Sequence, residues 1–348
     1  MKSNIHKKLT FEDRFDRKYA CWVKNNPKAW KWWKRKNRKK NNDMKKTYHL
    51  CLSAGEEVLF RDLEDYNRGF NCFAIALHKT GSAGLVESFM STHCHKLVQT
   101  EVPKGLMYFF RMSYSMYFNR KYHRSGKLGE KMHFTMEVVG YHHLLAAASY
   151  VLRNALHHGV APIPYAYPHC SANAIFMKEM GKNPCQRLID TRHYRQFIGK
   201  TAEYPDTYKM SESGVFLRES VLDIPQVENL FVTPRAFNWY MSRKSSEEWE
   251  AEQAKDKNGK APINIATIES GVKTDSNDRL LIYESGKADY RRPSDIDICM
   301  EIDRNILPKY GKPSIYMLTR KEKQQIAEHL YRNLHIGEKQ IRRCLALF

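Results

Sequence analysis

The sequence predicts an α+β fold: a ferredoxin-like βαββαβ domain on an antiparallel sheet, an extra helix at its end, and a mixed, largely helical C-terminal region. Three observations carry this. Short alternating runs and longer runs of helical periodicity interleave between residues 47 and 160. Their order is strand, helix, strand, strand, helix, strand, the split βαβ arrangement. The 348 residues are 42% hydrophobic and 12% aromatic, enough apolar material for a sizeable core.

Each element has its own signal. Residues 47–53 alternate as a strand does. From Asp62, a side chain suited to cap a helix, Leu63, Tyr66, Phe70, Phe73 and Leu77 recur at helical spacing until Gly81 and Gly84 break the chain. Residues 85–90 and 95–101 read as two strands joined near Thr92-His93. Pro103 opens a helix running to about Tyr122, residues 126–131 form a loop, and 134–139 is a β-branched strand. Residues 141–158 read as one long helix. Beyond it, 161–185 is rich in proline, 243–280 is polar and expected as a linker, and Asp295, Asp297, Glu301 and Asp303 alternate with isoleucines as in a strand with a polar face. Thr319 and Glu322 form a capping-box pattern before a helix, and a second helix follows Gly337, with Lys339, Gln340, Arg342 and Arg343 expected on its outer face. That helix-turn-helix pattern suits a major groove. The expected domains are 1–46, 47–175, 176–310 and 311–348.

The formal net charge is +20, from 58 Lys and Arg against 38 Asp and Glu, and it is uneven. Residues 1–46 hold 17 Lys or Arg against 4 Asp or Glu. Within them, Lys31, Trp32, Trp33, Lys34, Arg35, Lys36, Arg38, Lys39 and Lys40 mix cations that neutralise phosphates with aromatic faces that stack on unpaired bases. This points to a nucleic-acid-binding arm. No run of eighteen apolar residues exists, so no membrane-spanning helix is expected, and the charged N-terminus does not read as a secretory signal. Eight scattered cysteines without a C-x-x-C pair fit reduced thiols in a cytoplasmic chain.

Two patterns carry chemistry. In a strand, residues two apart share a face, so His93 and His95 present two imidazoles to one point while Cys94 turns to the core. Paired imidazoles suit a divalent metal. On the following helix Tyr150 and Asn154 are four apart and share a face, with His143 and His157 one step further each way. Tyr150 offers a phenolic nucleophile and Asn154 a carbonyl oxygen as third ligand.

These residues together resemble the single-tyrosine HUH transposases, most closely the REP-associated tyrosine transposases. The strand Met90-Ser91-Thr92-His93-Cys94-His95-Lys96-Leu97-Val98 is similar to the family's His-x-His strand. The run Tyr150-Val151-Leu152-Arg153-Asn154, continuing to Gly159-Val160, is similar to its tyrosine helix. Tyr117-Phe118-Asn119-Arg120-Lys121-Tyr122-His123 and the opening Tyr48-His49-Leu50 also fit. The resemblance covers about residues 47–175. It departs at Ser91-Thr92, where members carry Pro-Asn, at Ala155, where they carry Pro, and at the glycine turn, which lacks Trp-Gln-Gly.

The resemblance implies a nuclease and strand transferase acting on single-stranded or hairpin DNA, with DNA contacts at Arg120 and Lys121. Mg or Mn, held by His93, His95 and Asn154, would polarise the phosphate that Tyr150 attacks, leaving a 5′-phosphotyrosine link. It also implies a nucleoid-associated protein and admits a homodimer, because members differ in which subunit their tyrosine serves. The competing expectation is a protein on the same fold that binds DNA or RNA without cutting.

Overall fold

The computed structural model describes residues 45–130, 132–182, 187–200, 202–243, 246–273, 281–282, 288–289 and 293–347. The chain divides into two units, Met1–Lys45 and Lys46–Phe348. The expected arm contacts at Lys31 to Lys40 lie outside the described residues.

The sheet of the second unit contains β1 (Lys46–Ser53), β2 (Ala83–Phe89), β3 (His93–Thr100) and β4 (Phe134–Val138) in the order β2-β3-β1-β4, every pair antiparallel. Helix α1 (Leu63–Thr80) carries the chain from β1 past β3 to β2, and α2 (Pro103–Lys121) carries it from β3 past β1 to β4. Both helices begin and end where local chemistry dictates. Asp62 accepts from the Asp65 N–H and caps α1, and Gly81, at φ 65°, ends it in the left-handed region that glycine tolerates. Pro103 opens α2 at a position where no backbone donor is needed.

The pleat separates two chemistries. One face turns Leu50, Leu52, Phe89 and Cys94 toward Phe73 and Phe110. A buried aromatic of this kind contributes roughly 1.5–3 kcal/mol. Lys96 lies in this core, its Nζ 2.8 Å from Cys94 Sγ and 4.0 Å from the centre of the Phe110 ring. The other face carries His49, Cys51, Ser53, Ser88, His93 and His95, and α3 (Tyr141–Leu152) packs across it against β2 and β3. The six described cysteines are all free and buried.

The structure differs from expectation beyond the sheet. Residues 141–158 are not one helix: α3 stops at Leu152, Arg153 breaks it at φ −92° and ψ 6°, and a single turn, Asn154–His157, resumes. The described part of the polar stretch 243–280 packs rather than links: Trp249 of α6 (Ser246–Gln253), Ile263 and Ile268 are buried. Before it come α4 (Ile224–Phe231) and α5 (Pro234–Ser242). The supposed strand near Asp295 is the helix α7 (Asp295–Glu301). Ser294 and Asp297 form a capping box there, and Ile298, Ile302 and Ile306 are buried at helical spacing; the two-residue alternation of acids and isoleucines concealed that period.

Helices α8 (Arg320–Leu334) and α9 (Glu338–Leu345) do form, and Thr319 and Glu322 make the capping box. The outward placement of Gln340 and Arg343 is corrected: both are buried. Arg343 Nε and Nη2 donate to Asp295 at 2.9 and 2.8 Å, and Gln340 Nε2 donates to the same carboxylate at 3.0 Å. A fork of donors around one buried carboxylate outweighs the solvation those side chains would have outside. Lys339 and Arg342 stay exposed.

This C-terminal layer shares a core with Val58 and is stapled to the sheet domain by Arg61, which pairs bidentately with Asp303 at 3.1 and 2.7 Å and donates to the Cys344 carbonyl at 2.8 Å. Among the described residues no helix is long and apolar enough to cross a membrane.

Candidate metal and nucleophile site

His93 and His95 lie on one face of β3 because the pleat repeats every two residues, opposite Ser53 and Cys51 of β1. The turn before them is tightly held. The Leu59 N–H donates to the Ser91 carbonyl and the Ala54 N–H to the Thr92 carbonyl, each at 2.7 Å. Ser91 Oγ donates to Asp295 Oδ2 at 2.5 Å. Ser91 therefore ties the histidine turn to the C-terminal layer. Asp295 is engaged by Arg343, Gln340 and Ser91, Asp297 by its cap and Asp303 by Arg61, which leaves the expected acidic alternation structural.

Asn154 comes to the histidines from the turn after the helix break: His93 Nε2 and Asn154 Oδ1 are 3.2 Å apart. His95 Nδ1 is held at 2.9 Å by His49 Nε2, so His95 Nε2 is the nitrogen left over, buried and without a hydrogen-bond partner. All three histidine rings are shut from solvent. Burial, reinforced by Lys96, lowers the His49 pKa to about 3; burial and then the charges of His93 and His49 hold His95 well below the usual histidine range. Both are therefore neutral imidazoles at neutral pH, the form that ligates metals.

Two further groups lie close. The His158 ring centre is 4.7 Å from that of His93, and His158 Nε2 is 3.1 Å from Glu269 Oε1. Neither His49, His158 nor Glu269 was singled out as a ligand by the sequence. His49 and Glu269 reach the site only through strand pairing and the packing of 265–273. Among the described residues no cluster of three or more His, Cys, Asp or Glu side chains is arranged to hold a metal ion. Asn154 Oδ1 lies beside His93 Nε2, the ring centres of His93 and His95 are 5.0 Å apart, and His95 Nε2 is buried without a partner. Two imidazoles and an amide oxygen are donor types that suit a divalent ion.

Tyr150 goes elsewhere. Asn154 bonds to His93, whereas the ring contacts of Tyr150 are with other groups. Tyr150 is 5% exposed, with ring centres 5.6 Å from His157 and 5.7 Å from Trp249 of α6. Burial raises its pKa, while the charges of Arg153 and Arg243 draw it back. His143 is engaged by a distant carboxylate. Asp256 accepts from the His142 and His143 backbone N–H groups at 3.0 and 2.8 Å and from both imidazole Nδ1 atoms, capping α3 from a distant loop. Gly140 makes room for it: at φ 104°, a Cβ there would lie 2.3 Å from Asp256 Oδ2.

The expected DNA-contacting cations divide likewise. Arg120 is exposed at the end of α2, whereas Lys121 Nζ is held by Asp62, Asp65 and Glu64 at 2.7 to 3.0 Å. Lys339 and Arg342 are free of the core, and Gln340 and Arg343 are part of it.

No family model and no curated protein matches this sequence. Among solved structures, the chain is similar to a REP-associated tyrosine transposase bound to a REP hairpin, at 8% sequence identity and a TM-score of 0.34, over 48% of this chain and 96% of that one.

Proposed function

We propose that the chain is an HUH-type single-strand DNA nuclease and strand transferase built on a ferredoxin-like domain. The observation that carries the reading is that Asn154 Oδ1 comes within 3.2 Å of His93 Nε2 across 61 residues of chain, with the His95 ring centre 5.0 Å from that of His93. The strand order, with two crossover helices each skipping one strand, supports the split βαβ assignment.

In this reading a divalent ion, Mg or Mn, polarises a backbone phosphate when bound. His93, His95 and Asn154 would hold it, and His49, by occupying Nδ1, would fix the tautomer of His95. The Tyr150 oxygen would attack phosphorus in line, the bond to the 3′ oxygen would break, and the upstream fragment would leave with a 3′-hydroxyl while the 5′-phosphate of the downstream fragment stays on Tyr150. The tyrosine proton passes to solvent and the leaving oxygen takes one up. Attack by a strand's 3′-hydroxyl reverses the step. DNA is the proposed partner.

One observation favours the second reading, a DNA- or RNA-binding protein that no longer cuts: the ring contacts of Tyr150 are with His157 and Trp249 and not with the His93/His95 pair. The deciding experiment incubates the protein with labelled single-stranded hairpin DNA and Mn. The nuclease reading expects a covalent protein–DNA adduct that Tyr150→Phe abolishes while affinity stays within about twofold. Affinity without an adduct supports the second reading.

A further inference from the structure

The environment of Tyr150 is short of hydrogen-bond acceptors. Three buried donor-bearing atoms around it have no hydrogen-bond partner: Arg153 Nε, His157 Nε2 and Trp249 Nε1. Arg153 is 5% exposed and Trp249 2%. An indole N–H only donates, and a guanidinium has five donors and no acceptor. Among the described residues no carboxylate pairs with Arg153; burial and the neighbouring Arg243 both lower its pKa, and Tyr150 acts the other way. Arg243 is satisfied by contrast. Its Nε and Nη1 donate to Glu248 and Glu252 at 3.0 and 2.8 Å, and its guanidinium lies between Trp239 and Trp249, 4.5 and 4.6 Å from the ring centres. Glu250 acts on Tyr150 and makes no ion pair with Arg153. Buried donors are normally satisfied and Arg153 has no carboxylate partner among the described residues, so a group that brings negative charge and several acceptors completes this arrangement.

We propose that Arg153, Trp249 and His157 form a phosphate-binding pocket beside Tyr150. The identification of that phosphate as a linkage of single-stranded nucleic acid rests on the nuclease reading; the anion pocket does not. A phosphate here answers the Arg153 charge with charge-assisted hydrogen bonds and takes the indole N–H on another oxygen. His157, whose pKa burial and then Arg153 lower to about 3, is neutral and donates in one tautomer. Arg153 and His157 flank Asn154 in the chain: Asn154 bonds to His93, while the His157 ring centre lies 5.6 Å from that of Tyr150. The proposed phosphate subsite therefore adjoins the residues proposed to hold a metal.

The test uses the full chain and two probes. Inorganic phosphate, compared with chloride at equal ionic strength, should raise the melting temperature of the wild type by about 2–4 °C. Arg153→Met should abolish that response without lowering the melting temperature in chloride, because it removes an unpaired charge, and Arg153→Lys should keep part of it. With a single-stranded hairpin, Arg153→Met should weaken binding about tenfold and reduce the log–log salt slope by about 0.7, the share of one neutralised phosphate. Equal phosphate responses and equal slopes for wild type and Arg153→Met overturn the pocket, even if an adduct forms on Tyr150. A phosphate response that Arg153→Met removes upholds the pocket, even if no variant forms an adduct and the nuclease reading falls.

Discussion

At the scale of single residues, the site is governed by which nitrogen of each imidazole is already committed. His49 spends its Nε2 on His95 Nδ1, which leaves His95 Nε2 as the available ligand atom. Phenylalanine at 49 keeps an aromatic of similar size beside Phe134 and removes that constraint. Outer partners of metal-bound histidines typically change affinity 10- to 100-fold. His49→Phe is therefore expected to raise the Mn concentration needed for half-maximal adduct formation by about that factor, with the yield at saturating Mn largely restored. An unchanged Mn dependence would show that His49 is packing alone. Lys121 illustrates the opposite case, a cation expected on DNA that three carboxylates already hold.

At the scale of elements, α3 is positioned at its start by Asp256 and released at its end by the break at Arg153. The helix N-terminus presents unpaired N–H groups, and a carboxylate accepting from them is stabilised there. Burial pushes the Asp256 carboxyl up, but the hydrogen bonds from His142 and His143 outweigh it and hold the pKa well below the ordinary 3.8. The sign follows from that depression: the ionised form is favoured by folding, so the contribution is fully present above the unfolded value and is lost as the pH falls through the folded one. Asp256→Asn is expected to cost about 2 kcal/mol at neutral pH. In thermal melts, the gap between wild type and variant should stay constant down to about pH 5 and narrow below about pH 4. A gap that widens on acidification contradicts the assignment.

At the scale of the whole molecule, the C-terminal layer is part of the histidine site's support. Asp295 accepts from Arg343, Gln340 and Ser91, and Ser91 is two residues before His93. Arg343→Leu leaves a buried carboxylate without its counter-ion and is expected to cost about 3–5 kcal/mol in urea unfolding. A loss under about 1 kcal/mol, the range of an ordinary hydrogen bond, would show that Gln340 and Ser91 suffice. The arm's expected role is affinity rather than sequence choice, since Lys and Arg on phosphates carry little base information. Deleting residues 31–46 removes nine Lys or Arg and one Asp. Every phosphate that the truncated protein no longer neutralises lowers the single-strand salt slope by about 0.7, so a drop of several units is expected across a salt series. Equal slopes for full-length and truncated protein would make the arm a solubilising segment only.

Local chemistry was readable without the fold. Period-two and helical spacing located the strands and helices through β4, Asp62 and Thr319 marked helix starts, and His93 and His95 share a face because any strand places them so. What failed had a common cause: side chains whose direction depends on distant partners. Arg343 and Gln340 look solvated until Asp295 is packed beside them. The acidic alternation looks like a strand until its isoleucines meet the cluster around Val58. The long helix looks continuous, yet Asn154 is drawn to His93 and Tyr150 packs on Trp249. The sequence by itself determined the elements through β4 and the chemical groups they carry, because those follow from contacts within a few residues. Only the tertiary structure decided which groups meet, namely His49 with His95, Glu269 with His158, and Arg153 left without a counter-ion, because burial and pairing between distant parts of the chain set the free energy of a polar side chain more strongly than its neighbours in the chain do.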